Sequence, residues 1–111
     1  MTDEREWLTI PDICEMLGVT PGRVHRLLEE RQLLGKRING ILSVPRGFFV
    51  DDVPLPEIRG TALVLLDGGF NEDHALDWFI THDETLGATP LEALRSGRKS
   101  EVRRLAQSLA L

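Results

Sequence analysis

Between Thr20 and Arg46 the chain concentrates side chains that can donate hydrogen bonds to an anion or to the edge of a base: Thr20, Arg23, His25, Arg26, Arg31, Lys36, Arg37, Asn39 and Arg46. Arginine carries its donors in a planar fork that fits two phosphate oxygens or the O6/N7 edge of guanine, and lysine adds a movable point charge. The interval holds six basic residues against two acidic ones, Glu29 and Glu30, a local charge of +4. From Asp51 to the end, six basic residues face eleven acidic ones, and the chain as a whole is at −5. Total charge therefore argues against a general polyanion binder, whereas its distribution confines a cationic surface to one stretch. Such a surface can make phosphate contacts that set register, release counterions and weaken as salt rises. The chemistry implied is recognition of double-stranded DNA.

Catalysis and metal binding find no comparable pattern. His25, His74 and His82 fall in different predicted elements, and none sits in an HExxH or paired-cysteine arrangement. The spacing of His74 and Asp77 on one predicted helix fits a surface hydrogen bond. Gly68-Gly69 reads as a helix stop, not as a phosphate loop. No serine or cysteine has a recognisable base partner nearby. We expect no catalytic residue, no cofactor and no metal. Cys14 is the only cysteine, so no disulfide can form within the chain, and its place on a helix fits a small core or boundary residue.

The donors need rigid elements to carry them, and the sequence spells these out in order. Thr9 can cap a helix whose first turn holds Pro11 and Asp12, and Thr20-Pro21 repeats that start signal after a turn at Gly18 and Val19. Ile10, Ile13, Met16 and Leu17 make one apolar stripe on the first helix; Val24, Leu27 and Leu28 make another on the second. Arg23 and Arg26 are left outward, with His25 near the stripe's edge. Asn39-Gly40 then predicts a two-residue hairpin turn between strands at Lys36–Ile38 and Ile41–Val44, setting Ile38 opposite Ile41 and Arg37 opposite Leu42. Leu42 and Val44 are expected to face the core, and at least one of Phe48 and Phe49 to pack beneath the helices. Ile38 and Ile41 make an apolar tip that suits a contact surface better than plain solvent.

Organisation changes at Asp51 to Pro56, read as a linker or sharp turn. Beyond it the pattern predicts four short helices: Pro56 to Asp67, with Gly60 tolerated inside; a second capped by Asn71 with Ala75, Leu76, Phe79 and Ile80 on one face; a third opened by Thr89-Pro90 and stopped at Gly97; and a last one capped by Ser100. The expected architecture is mainly α with a small β-hairpin wing: a winged helix-turn-helix over residues 1–50, a linker over 51–57 and a short helical bundle over 58–111. Arg95, Arg98, Lys99, Arg103 and Arg104 form a second cationic cluster, either an extension of the footprint or the solvated face of the last helix. The longest apolar run, Ala62 to Leu66, is far short of the roughly 20 residues that cross a bilayer. The start is acidic and polar, unlike a signal peptide. A cytoplasmic protein, associated with the nucleoid and not with a membrane, is expected.

The run Leu8-Thr9-Ile10-Pro11-Asp12, then Leu17-Gly18-Val19-Thr20-Pro21, Val24, Leu27, Leu28, Asn39-Gly40 and Val44-Pro45 resembles the winged helix-turn-helix domains of MerR-like and excisionase-like proteins. That resemblance implies that the helix beginning at Thr20 is the recognition helix and the hairpin its wing. With Leu63 to Gly69 and Val102-Arg103-Arg104 added, the chain resembles an actinobacterial family of DNA-binding proteins whose mycobacterial member is a serine/threonine-kinase substrate. The resemblance implies a DNA-binding regulator. The mycobacterial relative carries its target threonine on a longer N-terminal extension, whereas this chain reaches its first helix within nine residues. Thr2, beside Asp3 and Glu4, is a poor substitute, so kinase control is not carried over. The segment Leu86 to Leu94 with Ser96-Gly97 is weakly similar to the toxin-binding domain of Xre and ParS-like antitoxins. That similarity implies a pairing surface in residues 58–111, for a homodimer or a protein partner. The alternative to a DNA reader is accordingly an interaction adaptor or antitoxin-like partner working through those helices.

Overall fold

Thr9 ends one element and starts the next. In the computed structural model, which describes residues 6–109, strand β1 (Trp7–Thr9) runs directly into helix α1 (Ile10–Leu17). Thr2 and the last two residues of the chain lie outside the described part. The Thr9 hydroxyl accepts from the Asp12 amide at 3.4 Å, and the Asp12 carboxylate accepts from the Thr9 amide at 3.0 Å. Two of the helix's otherwise orphaned N–H groups are thus satisfied. These bonds, the Thr9 amide first, hold the Asp12 carboxyl below its ordinary value. Gly18 closes α1 at φ 70°, a left-handed position that glycine takes without a Cβ clash. Helix α2 (Pro21–Glu29) follows at once, capped by Thr20.

The turn chemistry of Asn39-Gly40, at φ 52° and 82°, sets the hairpin of β2 (Lys36–Ile38) and β3 (Ile41–Pro45). Its register pairs Ile38 with Ile41 and Arg37 with Leu42, as the two-residue turn requires. The sequence reading missed β1, which pairs antiparallel with β3 (Leu8 opposite Val44) and completes a three-stranded sheet in the order β1-β3-β2. Val44 is fully buried, while Leu42 is only half-buried beside Gly35 and Leu28. Ser43, on the opposite face of the strand from Leu42 and Val44, is also buried, and the helix over Glu72–Ile80 of the other half packs against β2. Ile41 stays 55% exposed at the tip.

A turn of 3-10 helix (Arg46–Phe48) leads to a second hairpin, β4 (Phe49–Val50) with β5 (Val53–Pro54). Asp51 and Asp52 both adopt positive φ, 52° and 59°, which aspartate tolerates better than most residues. Of the two readings of this stretch, the sharp turn is the one formed. Four helices follow: α3 (Glu57–Asp67), α4 (Glu72–Ile80) capped by Asn71, α5 (Pro90–Arg95) capped by Thr89, and α6 (Lys99–Leu109). Ser100 is not the cap of α6. The helix begins at Lys99, and the amide of Val102 already bonds the carbonyl of Arg98, so Ser100 lies within the first turn. The protein is mainly α with a small β-hairpin wing, a winged helix-turn-helix followed by helices.

One continuous core joins the two parts. Ile13, Val24, Val44 and Phe48 from the first share it with Ile58, Leu65, Leu76, Phe79, Leu91 and Val102 from the second. Phe48 meets Phe79 edge-on with centroids 5.5 Å apart. Arg95 Nη1 donates to the carbonyls of Gly47 at 2.9 Å and Phe49 at 2.6 Å, tying α5 to the chain reversal after the wing.

Gly60 sits inside α3, where glycine costs about 1 kcal/mol relative to alanine. A methyl group there would meet the guanidinium of Arg103 from α6, the far end of a flexible, exposed side chain that can swing aside. Gly60→Ala is therefore expected to raise stability by up to about 1 kcal/mol, read as a higher denaturant midpoint. A lower midpoint would mean that Arg103 must lie over Gly60 to seat α6 on α3.

Candidate nucleic-acid interface

A helix can present donors to a groove only if its other side is anchored. In α2, Val24 and Leu27 are buried in the core, whereas Thr20, Arg23, His25 and Arg26 are exposed. Arg23 and Arg26 are one turn apart and point outward together. Their side chains have no ion-pair partner among the described residues. Thr20 is committed as the cap, its hydroxyl accepting from the Arg23 amide at 3.3 Å. No acidic residue occupies the first turn, so the positive end of the helix dipole and the Arg23 guanidinium act in the same sense.

The wing supplies the second set. Arg37 is exposed and its Nη1 donates to the Gly40 carbonyl at 3.2 Å, which holds the guanidinium over the turn. Asn39 and Gly40 are exposed beside it, with Ile41 completing an apolar and cationic tip.

Three other cations of the sequence reading are placed differently. Arg31 Nη2 lies 2.8 Å from Glu72 Oε1, with a further bond from its Nη1 to the Leu28 carbonyl. Lys36 Nζ lies 2.8 Å from Asp77 Oδ1. Asp77 thus goes to the wing and not to His74, whose ring stacks edge-on against Phe70. Arg46 is half-buried, with Nη1 3.8 Å from Met16 Sδ of α1. The structure brings Arg23, Arg26, Arg37 and Asn39 to the surface, unpaired with any carboxylate among the described residues, and sets Arg31 and Lys36 against α4. The carboxylate partners were the part that sequence reasoning missed, and no local signal marks them.

Three of the five cations in the C-terminal cluster have contacts of their own, while Lys99 and Arg104 stay exposed. Arg95 is spent on the Gly47 and Phe49 carbonyls, Arg98 pairs with Glu101 at 2.7 Å, and Arg103 lies over Gly60. The bond to Glu101 raises the Arg98 pKa and lowers that of Glu101. A cleft of about 230 Å³ lies between α2 and the wing, lined by His25, Leu28, Leu42 and Glu72 among others. Among the described residues, no group of three His, Cys, Asp or Glu is placed to hold a metal ion. No helix there is long and apolar enough to cross a membrane.

Known proteins share both halves of this arrangement. Residues 1–49 match the family model described as "DNA-binding protein Rv2175c, wHTH domain", and residues 55–110 match "Rv2175c C-terminal domain of unknown function". The chain is 29% identical to the DNA-binding protein Rv2175c of Mycobacterium tuberculosis (strain ATCC 25618 / H37Rv) over 114 residues, spanning 91% of this chain and 78% of that protein. The fold is similar to the NMR structure of Rv2175c with a TM-score of 0.88 at 27% identity, covering 100% of this chain and 85% of that one.

Proposed function

Because the chain belongs to the Rv2175c family of winged helix-turn-helix proteins, we propose that it binds double-stranded DNA as a regulator of transcription, reading bases with α2 and bracing on the backbone with its wing. The observation that carries this reading is the pair Arg23 and Arg26, exposed one turn apart on a helix whose Val24 and Leu27 fix it to the core. The docking proposed is that of MerR-like and excisionase-like readers. The N-terminal turns of α2 enter the major groove, and Arg37 and Asn39 reach flanking phosphates. The role is occupancy of a site in the cytoplasm, on the nucleoid, with no chemical step assigned.

One short recognition helix spans only a few base pairs, so specific binding calls for a second copy on a half-site about one helical turn away. We assign that pairing to the helical half, taken from residue 58 onward, with residues 1–50 as the reader and 51–57 as the connection between them.

The test is fluorescence-anisotropy titration of duplex DNA across a salt series. Affinity is expected to fall linearly with salt on logarithmic axes, and Arg37→Ala to weaken all sequences about equally while reducing the slope by about 0.9, the value of one phosphate contact. An Arg37→Ala protein with unaltered affinity and slope would remove the wing from the interface.

A further inference from the structure

The reader has cations that its own other half already occupies. Arg31, in the turn after α2, and Lys36, at the base of the wing, are both held at 2.8 Å, by Glu72 and Asp77 of α4 respectively. The two carboxylates belong to one helix and lie across the side of the reader where helix and wing meet. Of their cationic partners, Arg31 lies within the short connection between α2 and the wing, residues 30–35, and Lys36 directly follows it as the first residue of β2. The pairs are not sealed: the side chains are 32% and 53% exposed in one and 26% and 47% in the other, so water and a competing anion can reach them. A carboxylate oxygen offers a cation the same acceptor chemistry as a phosphate oxygen. Exposed pairs of this kind are weak and screened by salt, so a polyphosphate chain can exchange for them.

We propose that Glu72 and Asp77 are intramolecular stand-ins for DNA phosphates, holding Arg31 and Lys36 back from any duplex except one docked closely enough to displace them, and so are determinants of specificity. The inference rests on the reading of α2 and the wing as a DNA interface. Its physical basis is the difference between the two kinds of binding. Nonspecific affinity is counted in phosphate contacts, and cations held by carboxylates contribute none. A specific site aligns the backbone against the reader, so the exchange of carboxylate for phosphate is compensated there by the full set of base contacts. The helical half thereby acquires a role in recognition beyond bracing the wing.

The test compares the full-length protein with Glu72→Gln/Asp77→Asn and with a charge-matched control, Asp73→Asn/Glu84→Gln, whose exposed carboxylates lie outside both pairs. On random-sequence duplex the pair variant is expected to bind several-fold more tightly than the control at low salt, with a logarithmic salt slope steeper by about 1 to 2. On a selected site its slope should match that of the parent protein, so the ratio of specific to nonspecific affinity falls. Adding Lys36→Ala to the pair variant should return about one unit of slope. Thermal melts separate this from bracing alone, which would lower Tm equally in the absence of DNA and leave every slope unaltered. A parent protein that binds DNA while the pair variant behaves as the control overturns the inference and leaves the DNA-binding reading standing. Failure of the parent and of every variant to bind duplex at low salt overturns the reading itself.

Discussion

Phe48→Ala is expected to cost about 3 to 5 kcal/mol of folding stability, the range for emptying a large aromatic site in a core that collapses incompletely. Phe48 is fully buried and packs edge-on against Phe79, which in turn meets Trp78 with centroids 5.3 Å apart. Since domains of this size are stable by only about 5 to 15 kcal/mol, the loss would consume a large share of the total. The position also makes the effect diagnostic. Phe48 ends the winged part and Phe79 belongs to α4, so the cavity would open on the seam between the halves. The only two tryptophans, Trp7 in β1 and Trp78 in α4, report on either side of that seam. Urea unfolding followed by fluorescence in Trp7→Phe and Trp78→Phe backgrounds should give coincident transitions, shifted together by Phe48→Ala. Separate transitions, with only one of them moved, would contradict a shared core.

Arg23→Ala/Arg26→Ala is expected to weaken binding to a selected DNA site by about 2 kcal/mol or more, at least roughly thirty-fold, and to flatten sequence preference. A bidentate guanidinium contact to guanine is worth about 1 to 3 kcal/mol of discrimination, and the two side chains extend from the same face. Both are exposed and neither is in an ion pair among the described residues, so the double variant should fold as the parent does. Competition titrations against mismatched duplexes would show the effect. Arg37→Ala, by contrast, should lower affinity without altering which sequences win. A double variant that kept both affinity and preference would remove α2 from its assigned place.

What the sequence made legible was whatever is decided within a few residues. Thr9, Thr20, Asn71 and Thr89 announce their helices because a cap bonds an amide three positions on. Asn39-Gly40 fixes the wing's register because a two-residue turn leaves one pairing available. The exposure of Arg23 and Arg26 follows from the buried spacing of Val24 and Leu27. Illegible features depend on distant partners. Trp7–Thr9 is too short to be called a strand without Ser43–Pro45 opposite it. The partner of Lys36 lies 41 positions along the chain, so its cation looked free when only its neighbours were considered. Arg95, read as part of a cationic cluster, donates to two carbonyls nearly fifty residues before it in the sequence. Asp51-Asp52 is a local signal of the second hairpin: two aspartates between Val50 and Val53 can both take the left-handed conformation a tight hairpin needs. Ser100 illustrates the reverse error, a cap-forming residue type that the helix simply passes through.

The most direct measurement of the central claim is selection from a genomic fragment pool by fluorescence anisotropy at several salt concentrations, followed by sequencing of the bound fraction, with Arg23→Ala/Arg26→Ala run in parallel. The account predicts an enriched motif, repeated at a spacing of about one helical turn, with affinity that falls steeply as salt rises and a motif lost in the double variant. Folded protein that binds no duplex at low salt, or that retains the same motif without the two arginines, would contradict it.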